Sequence, residues 1–211
     1  MPDSSYIQVN EGSDRKVAFI QRAISSNTVE QTEVAVTLPY IPTYVVTTET
    51  AVSLATAGSH VLQLLGSTVN RDLLRSVEVT QLGAALNDTP MAWELVRLDT
   101  AGTGGTALTP NPLDPVDPAT TAAGMTLPTS KGDEDESMGF WTGAVSTDPG
   151  WFPGEGACYV LKLVFPEGGN MTSKPPTMAA GGTTGFALKN VTAEPSATVH
   201  VRATFEEVFW S

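Results

Sequence analysis

Apolar and polar residues alternate with a period of two along much of this chain. The clearest case lies near its C-terminal end, where Ala197, Val199, Val201, Ala203 and Phe205 alternate with Thr198, His200, Arg202, Thr204 and Glu206. That is the pattern of a strand with one buried face and one wet face. The run Leu73 to Leu82 repeats it, with Val77 and Val79 on one side and Glu78 and Thr80 on the other. Shorter runs at Ala51–Ala55, Val61–Leu65, Met91–Leu98 and Gly185–Leu188 are bounded by Gly, Pro, Asn and Asp, residues that turn the backbone. Ala157 to Phe165 is apolar on both faces apart from Lys162, which predicts a central strand covered on two sides. No segment sustains a 3.6-residue period; the one helical turn the sequence suggests is near Ser67–Asp72. About seven to ten short strands separated by Gly/Pro turns predict an all-β sandwich or barrel.

The longest interruption of this pattern follows Trp93–Leu98. Residues Thr100 to Ser130 carry repeated Gly, Thr and Pro, with prolines at 110, 112, 115 and 118. Each proline removes a backbone donor and biases its predecessor away from helix, so this is an extended surface connection. Its length exceeds that of an ordinary loop in a compact domain, marking it as a candidate functional or contact loop. A long crossing connection of this kind favours a jelly-roll-like β-sandwich over an up-and-down barrel. Residues 1–49 read differently: Tyr6–Val9, Val17–Ile20 and Val34–Leu38 are short apolar runs between polar links. We expect residues 1–49 to form either an N-terminal arm, which would bury Phe19, Ile20, Tyr40 and Ile41 on a neighbouring subunit, or an added β region of two or three strands, and 50–211 to form the sandwich.

Composition narrows the function. Of 211 residues, 11 are basic and 23 acidic, a formal charge of -12, which repels nucleic-acid phosphates and anionic membranes. Neither partner is expected. A single cysteine, Cys158, precludes an intrachain disulfide and a cysteine-based zinc site, and it sits in an apolar run as a small buried residue would. No basic and apolar leader opens the sequence, and its apolar runs are shorter than the roughly 18 residues of a membrane span.

Catalytic signatures are weak. Ala101-Gly102-Thr103-Gly104-Gly105 looks superficially like a phosphate-binding loop, but Thr-Pro steps follow it where a helix N-terminus is required. His60 and His200 lack the spacing of a metal site, and there is no Gly-x-Ser-x-Gly elbow. The charge run Lys131 to Glu136 reads as a solvated loop tip, with a calcium site as the minor alternative. Trp141, Trp151 and Phe152 fit packing or subunit contact better than sugar stacking. No enzymatic activity, cofactor or metal is expected, although paired carboxylates meeting in one cleft would reopen glycoside hydrolysis.

The residues His60–Gly66, Arg75–Thr80, Trp93–Arg97, Thr100-Ala101-Gly102-Thr103, Ala107–Pro110 and Leu113-Asp114-Pro115-Val116-Asp117-Pro118, with Phe205-Glu206-Glu207 near the end, resemble a family of small β-rich structural proteins of tailed bacteriophages and prophages. The resemblance spans roughly residues 55 to 211 and is sharpest in the proline-rich connection. It implies a non-enzymatic virion protein, a head decoration or accessory capsid protein on the capsid surface, with the major capsid protein or other virion proteins as partners and a symmetric homo-oligomer such as a trimer as its form. The alternative is a receptor- or glycan-binding domain of a tail fibre, spike or baseplate. Phe19, Ile20, Tyr40, Ile41, Pro110, Pro112, Leu113, Pro115, Trp141 and Trp151 are the residues expected to make contacts. Residues 1–49 and 131–156 have no clear counterpart in the short members of that family.

Overall fold

The structure is a computed structural model that describes residues 41–82, 85–145, 159–165 and 175–208, together with the backbone of four short strands before residue 32. The chain divides into two compact units, residues 1–40 with Ser211, and residues 41–210. In the smaller unit β1 (Tyr6–Gln8) pairs antiparallel with β2 (Lys16–Ala18), and β3 (Ile20–Ile24) with β4 (Asn27–Gln31).

The larger unit begins earlier than residue 50. Strand β5 (Thr43–Thr47) pairs with the last strand, β17 (Glu194–Val208), from Glu206↔Thr43 to Arg202↔Thr47. Tyr44 and Val46 are fully buried there, so residues 41–49 belong to the sandwich rather than to an arm. The threonine-rich flanks hide this two-residue apolar face in the sequence.

Between these strands run β6 (Val52–Leu54), β7 (Ser59–Leu65), β8 (Arg71–Gln81), β9 (Thr89–Leu98), β10 (Thr106–Leu108), β11 (Asn111–Pro112), β12 (Ala123–Thr126), β13 (Glu134–Val145), β14 (Tyr159–Val164), β15 (Thr177–Met178) and β16 (Gly185–Asn190). They form two antiparallel sheets, one in the order β10-β12-β7-β16-β9-β13 and the other β11-β5-β17-β8-β14, with β6 on β17 and β15 on β8. The described residues of this unit contain no helix, and the fold is an all-β sandwich. The core lies between the inner faces, where Met91, Trp93, Leu95, Val77, Val79, Val199, Val201 and Phe205 meet with exposures of 2% or less. Burying each such side chain contributes roughly 1.5–3 kcal/mol. Tyr44 stacks on Phe205 with ring centroids 5.4 Å apart.

Three local expectations change. The apolar run around Leu161 is not a central strand: β14 is the last strand of its sheet, paired only to β8 among the described residues, with Lys162 and Val164 exposed. A lysine on an edge strand guards it against pairing with other chains. No helical turn forms at Ser67–Asp72. The Ser67 hydroxyl instead accepts the Val69 and Asn70 amides, each at 3.2 Å, and the Ser67 amide donates to Asp72 Oδ2 at 2.5 Å. These side-chain bonds offer the backbone an alternative to a helix. Finally, the acidic run is not a loop tip, since β13 starts at Glu134.

Candidate interaction surface

The proline-rich connection ties the two sheets together. After β9 the chain crosses the outer face of the six-stranded sheet, where Gly102 N–H donates to Gln63 Oε1 at 3.0 Å and Thr103 pairs with Ser130. It then adds β10 to the far edge of that sheet and β11 to the edge of the other, with Leu113 N–H bonding Thr43 O at 2.8 Å. Proline is tolerated on edges because no inner ladder needs its missing donor. The glycines that resemble a phosphate loop serve this crossing. A Cβ on Gly102 would lie 2.8 Å from the Gln63 amide, and Gly104, at φ +75°, would meet Thr129 Oγ1.

The residues expected to make contacts are scattered by this frame. Leu113 is 52% exposed, Val116 87% and Ile41 37%, and Pro115 is exposed. Pro112 is half-buried and Pro110 is buried, so Pro110 fixes the connection rather than facing outward. Trp141 is half-buried and packs against the core opposite Trp93, while its neighbour Phe140 is 64% exposed. The ring free to stack on a ligand at this place is therefore Phe140. The side chain of Ile20, together with Phe19, Tyr40 and Trp151, lies outside the described residues, as does Cys158.

Two polar clusters that the sequence did not reveal lie at the margins of the core, the first partly exposed and the second buried. In the first, under the crossing connection, Lys189 Nζ bridges Glu94 Oε2 at 2.6 Å and Glu134 Oε2 at 2.7 Å. Gln63 Nε2 donates to His60 Nδ1 at 2.6 Å, so the remaining proton of a neutral His60 sits on Nε2 and is donated to Glu134 Oε1 at 2.8 Å. Burial pushes Glu134's carboxyl up, but Lys189 and His60 outweigh it and hold the group below its ordinary value. Burial likewise pulls Lys189 down, and the two carboxylates raise it above its ordinary value. For His60 burial wins over Glu134 and lowers the pKa, keeping the ring neutral.

In the second cluster, Asp72 and Glu207 stand directly opposite each other across β8 and β17, with exposures of 0% and 3%. Asp72 Oδ1 is buried without a hydrogen-bond partner. Burial, with a smaller contribution from Glu207, pushes the Asp72 carboxyl up to about 7 against the Ser67 amide bond. Asn70 Nδ2 donates to Glu207 Oε1 at 3.1 Å, and the Tyr44 hydroxyl donates to Pro118 O at 2.9 Å, holding the connection over this corner. The signal that could have found the first cluster is a polar residue inside an apolar run, as Gln63 and Glu94 each are; Asp72, between Arg71 and Leu73, carries no such signal.

Neither cluster opens into a cleft among the described residues. Among the described residues a small apolar void lies between Leu62, Leu64, Leu95, Phe186 and their neighbours. A shallow depression of about 490 Å³ lies instead on the outer face of the seven-stranded sheet, lined by Thr47, Thr48, Glu78, Thr80, His200 and Arg202. His200 Nδ1 and Thr48 Oγ1 are 2.9 Å apart at its edge. No group of three or more His, Cys, Asp or Glu among the described residues is placed to hold a metal ion. Scans of known protein-family models, curated proteins and solved structures find no match to this chain.

Proposed function

We propose that this chain is a non-enzymatic structural protein of a tailed-bacteriophage virion, a decoration or accessory protein that binds the head shell as a symmetric oligomer. The observation that carries this reading is the proline-rich connection through which the chain resembles such proteins. It is bonded to the edges of both sheets and presents Leu113, Pro115 and Val116 to solvent from a fixed frame. A contact surface ordered before docking limits the entropy lost on binding, and repetition over a shell multiplies weak contacts. The strand order supports a jelly roll in particular. Numbering β5, β7, β8, β9, β13, β14, β16 and β17 from one to eight gives sheets ordered 1-8-3-6 and 2-7-4-5, the double-sheet arrangement of that fold.

The test is mass spectrometry of purified heads from a lysate containing the chain, followed by co-sedimentation of the chain with heads stripped of it. Stoichiometric presence and rebinding are the expected results. Absence from the heads together with failure to rebind would remove the proposal.

A further inference from the structure

We infer that a proton-sensitive relay, His60–Gln63–Gly102, fastens the crossing connection to β7 and releases it when His60 takes up a proton. The inference concerns the chain by itself and does not depend on what the connection binds.

The relay begins in the strand. On a regular strand His60 and Gln63, three residues apart, would face opposite ways. The β7–β16 ladder is irregular at Val61: Leu62 pairs with Leu188, but His60 pairs with the next residue, Lys189. An irregularity of this kind re-aims a side chain, and both polar groups come to one face, with exposures of 0% and 1%. Gln63 Nε2 then donates to His60 Nδ1 at 2.6 Å, and Gly102 N–H donates to Gln63 Oε1 at 3.0 Å.

The donors and acceptors of this row match in one protonation state only. Neutral His60 accepts at Nδ1 and donates from Nε2 to Glu134 Oε1 at 2.8 Å. A second proton turns Nδ1 into a donor facing the Gln63 Nε2 donor. Turning the Gln63 amide over gives His60 an acceptor, but sets Nε2 against the Gly102 N–H. Either way two donors meet, and a buried donor is left unpaired at a cost that opening the row removes. Gly102 is the member able to leave. It lies between β9 and β10, outside both ladders, whereas His60 and Gln63 are held in β7.

The charges around the ring set where release occurs. Burial has the largest effect and opposes the proton; Glu134 from β13 favours it, and Lys131 just before β13 and Lys189 from β16 oppose it. Glu94 of β9 acts through Lys189, 2.6 Å away. Strand β12 on the other side of β7 and the crossing residues Thr100–Gly105 carry no titratable side chain. The crossing is therefore fastened at neutral pH, and release comes as pH falls below the ordinary histidine value of 6.5.

NMR of the isotope-labelled full chain carrying His200→Gln, which leaves His60 as the one histidine, tests this between about pH 8 and about pH 5. Exchange of the Gly102 amide, corrected for its intrinsic rate, should rise at least about tenfold with the midpoint of the His60 ring titration, while Val79 and Val201 in the core strands stay protected. Gln63→Glu should do the opposite of a merely structural loss. A carboxylate accepts from both His60 and Gly102, so the His60 midpoint should rise by about one pH unit or more and Gly102 should stay protected in acid. Gly102 exchange indifferent to His60 protonation overturns the inference, as does a His60 that stays neutral until the whole chain unfolds, or a folded Gln63→Glu chain that opens in acid like the native one. Should that variant not fold, the exchange profile with glutamine at 63 decides alone. Shell binding enters none of these readouts, so the capsid reading and the relay can fail separately.

Discussion

Glu134 and Asp72 are both carboxylates set at the margin of the same sandwich, and the protein treats them in opposite ways. Glu134 shares Lys189 with Glu94 and accepts a proton-bearing nitrogen of His60, so its charge is matched. Asp72 faces Glu207 in register and receives one backbone amide, with one oxygen left unpartnered. The first site stabilises the charged acid, the second the neutral acid. Asp72 is fully buried and Glu134 only in part, so burial and the cation placed by the next strand together decide the state of each carboxylate.

The largest effect that would break this contrast comes from Asp72→Asn. The folded protein keeps the Asp72 proton up to about pH 7, whereas the unfolded chain loses it near the ordinary value of 3.8. Stability from this group is fully present below the lower value and is lost as pH rises through the upper. Urea unfolding of the native chain should show a decline across that window of no more than about 4 kcal/mol. The Asn variant, unable to ionise, should lack the decline and be the more stable protein at pH 8. Equal slopes in the two proteins would show that Asp72 is not held neutral.

Next in size is Lys189→Met, which leaves buried Glu94 and partly exposed Glu134 without their cation. It should cost about 3 kcal/mol near neutral pH and should be partly rescued by adding Glu94→Gln. Acidification sharpens the comparison from the other side. Glu134, with a lowered pKa, contributes stability above the ordinary value of 4.5 that is lost as pH falls through its folded value. His60, also lowered, contributes stability above 6.5 that is lost as pH falls below it. In the Asp72→Asn background the fall around neutral pH should therefore be on the acid side, while Lys189, raised above its ordinary value of 10.5, contributes stability that is lost only as pH rises past that value.

Tyr44→Phe should cost about 1 kcal/mol by releasing the Pro118 carbonyl, and hydrogen exchange should show faster opening confined to the connection around residues 113–121. Val116→Ser, at a position 87% exposed, should change stability by less than about 0.5 kcal/mol. A larger loss of folding stability there would mean that the connection packs on its own chain rather than offering itself to a partner.

The strands were legible because their side chains alternate. β8 and β17 bury Val77, Val79, Val199, Val201 and Phe205 and expose their partners as the pattern requires. β14 misled because an apolar run reads the same in the middle of a sheet and at an edge, where Leu161 and Leu163 are buried and Val164 is 68% exposed. β5 was hidden because two buried residues between threonines make too short a signal. The polar clusters were not legible, since Glu94, Lys189, Glu134 and His60 come from four strands that only sheet order brings together.

By itself the sequence determined the class of fold and the position of the proline-rich connection, because period-two alternation and missing backbone donors are local properties of the chain. Tertiary structure decided which strands are edges, where the larger unit begins, and which inward acids keep their charge. Those depend on which residues face each other across strands distant in the chain, as Thr43 and Glu206 do, and no local pattern encodes that pairing.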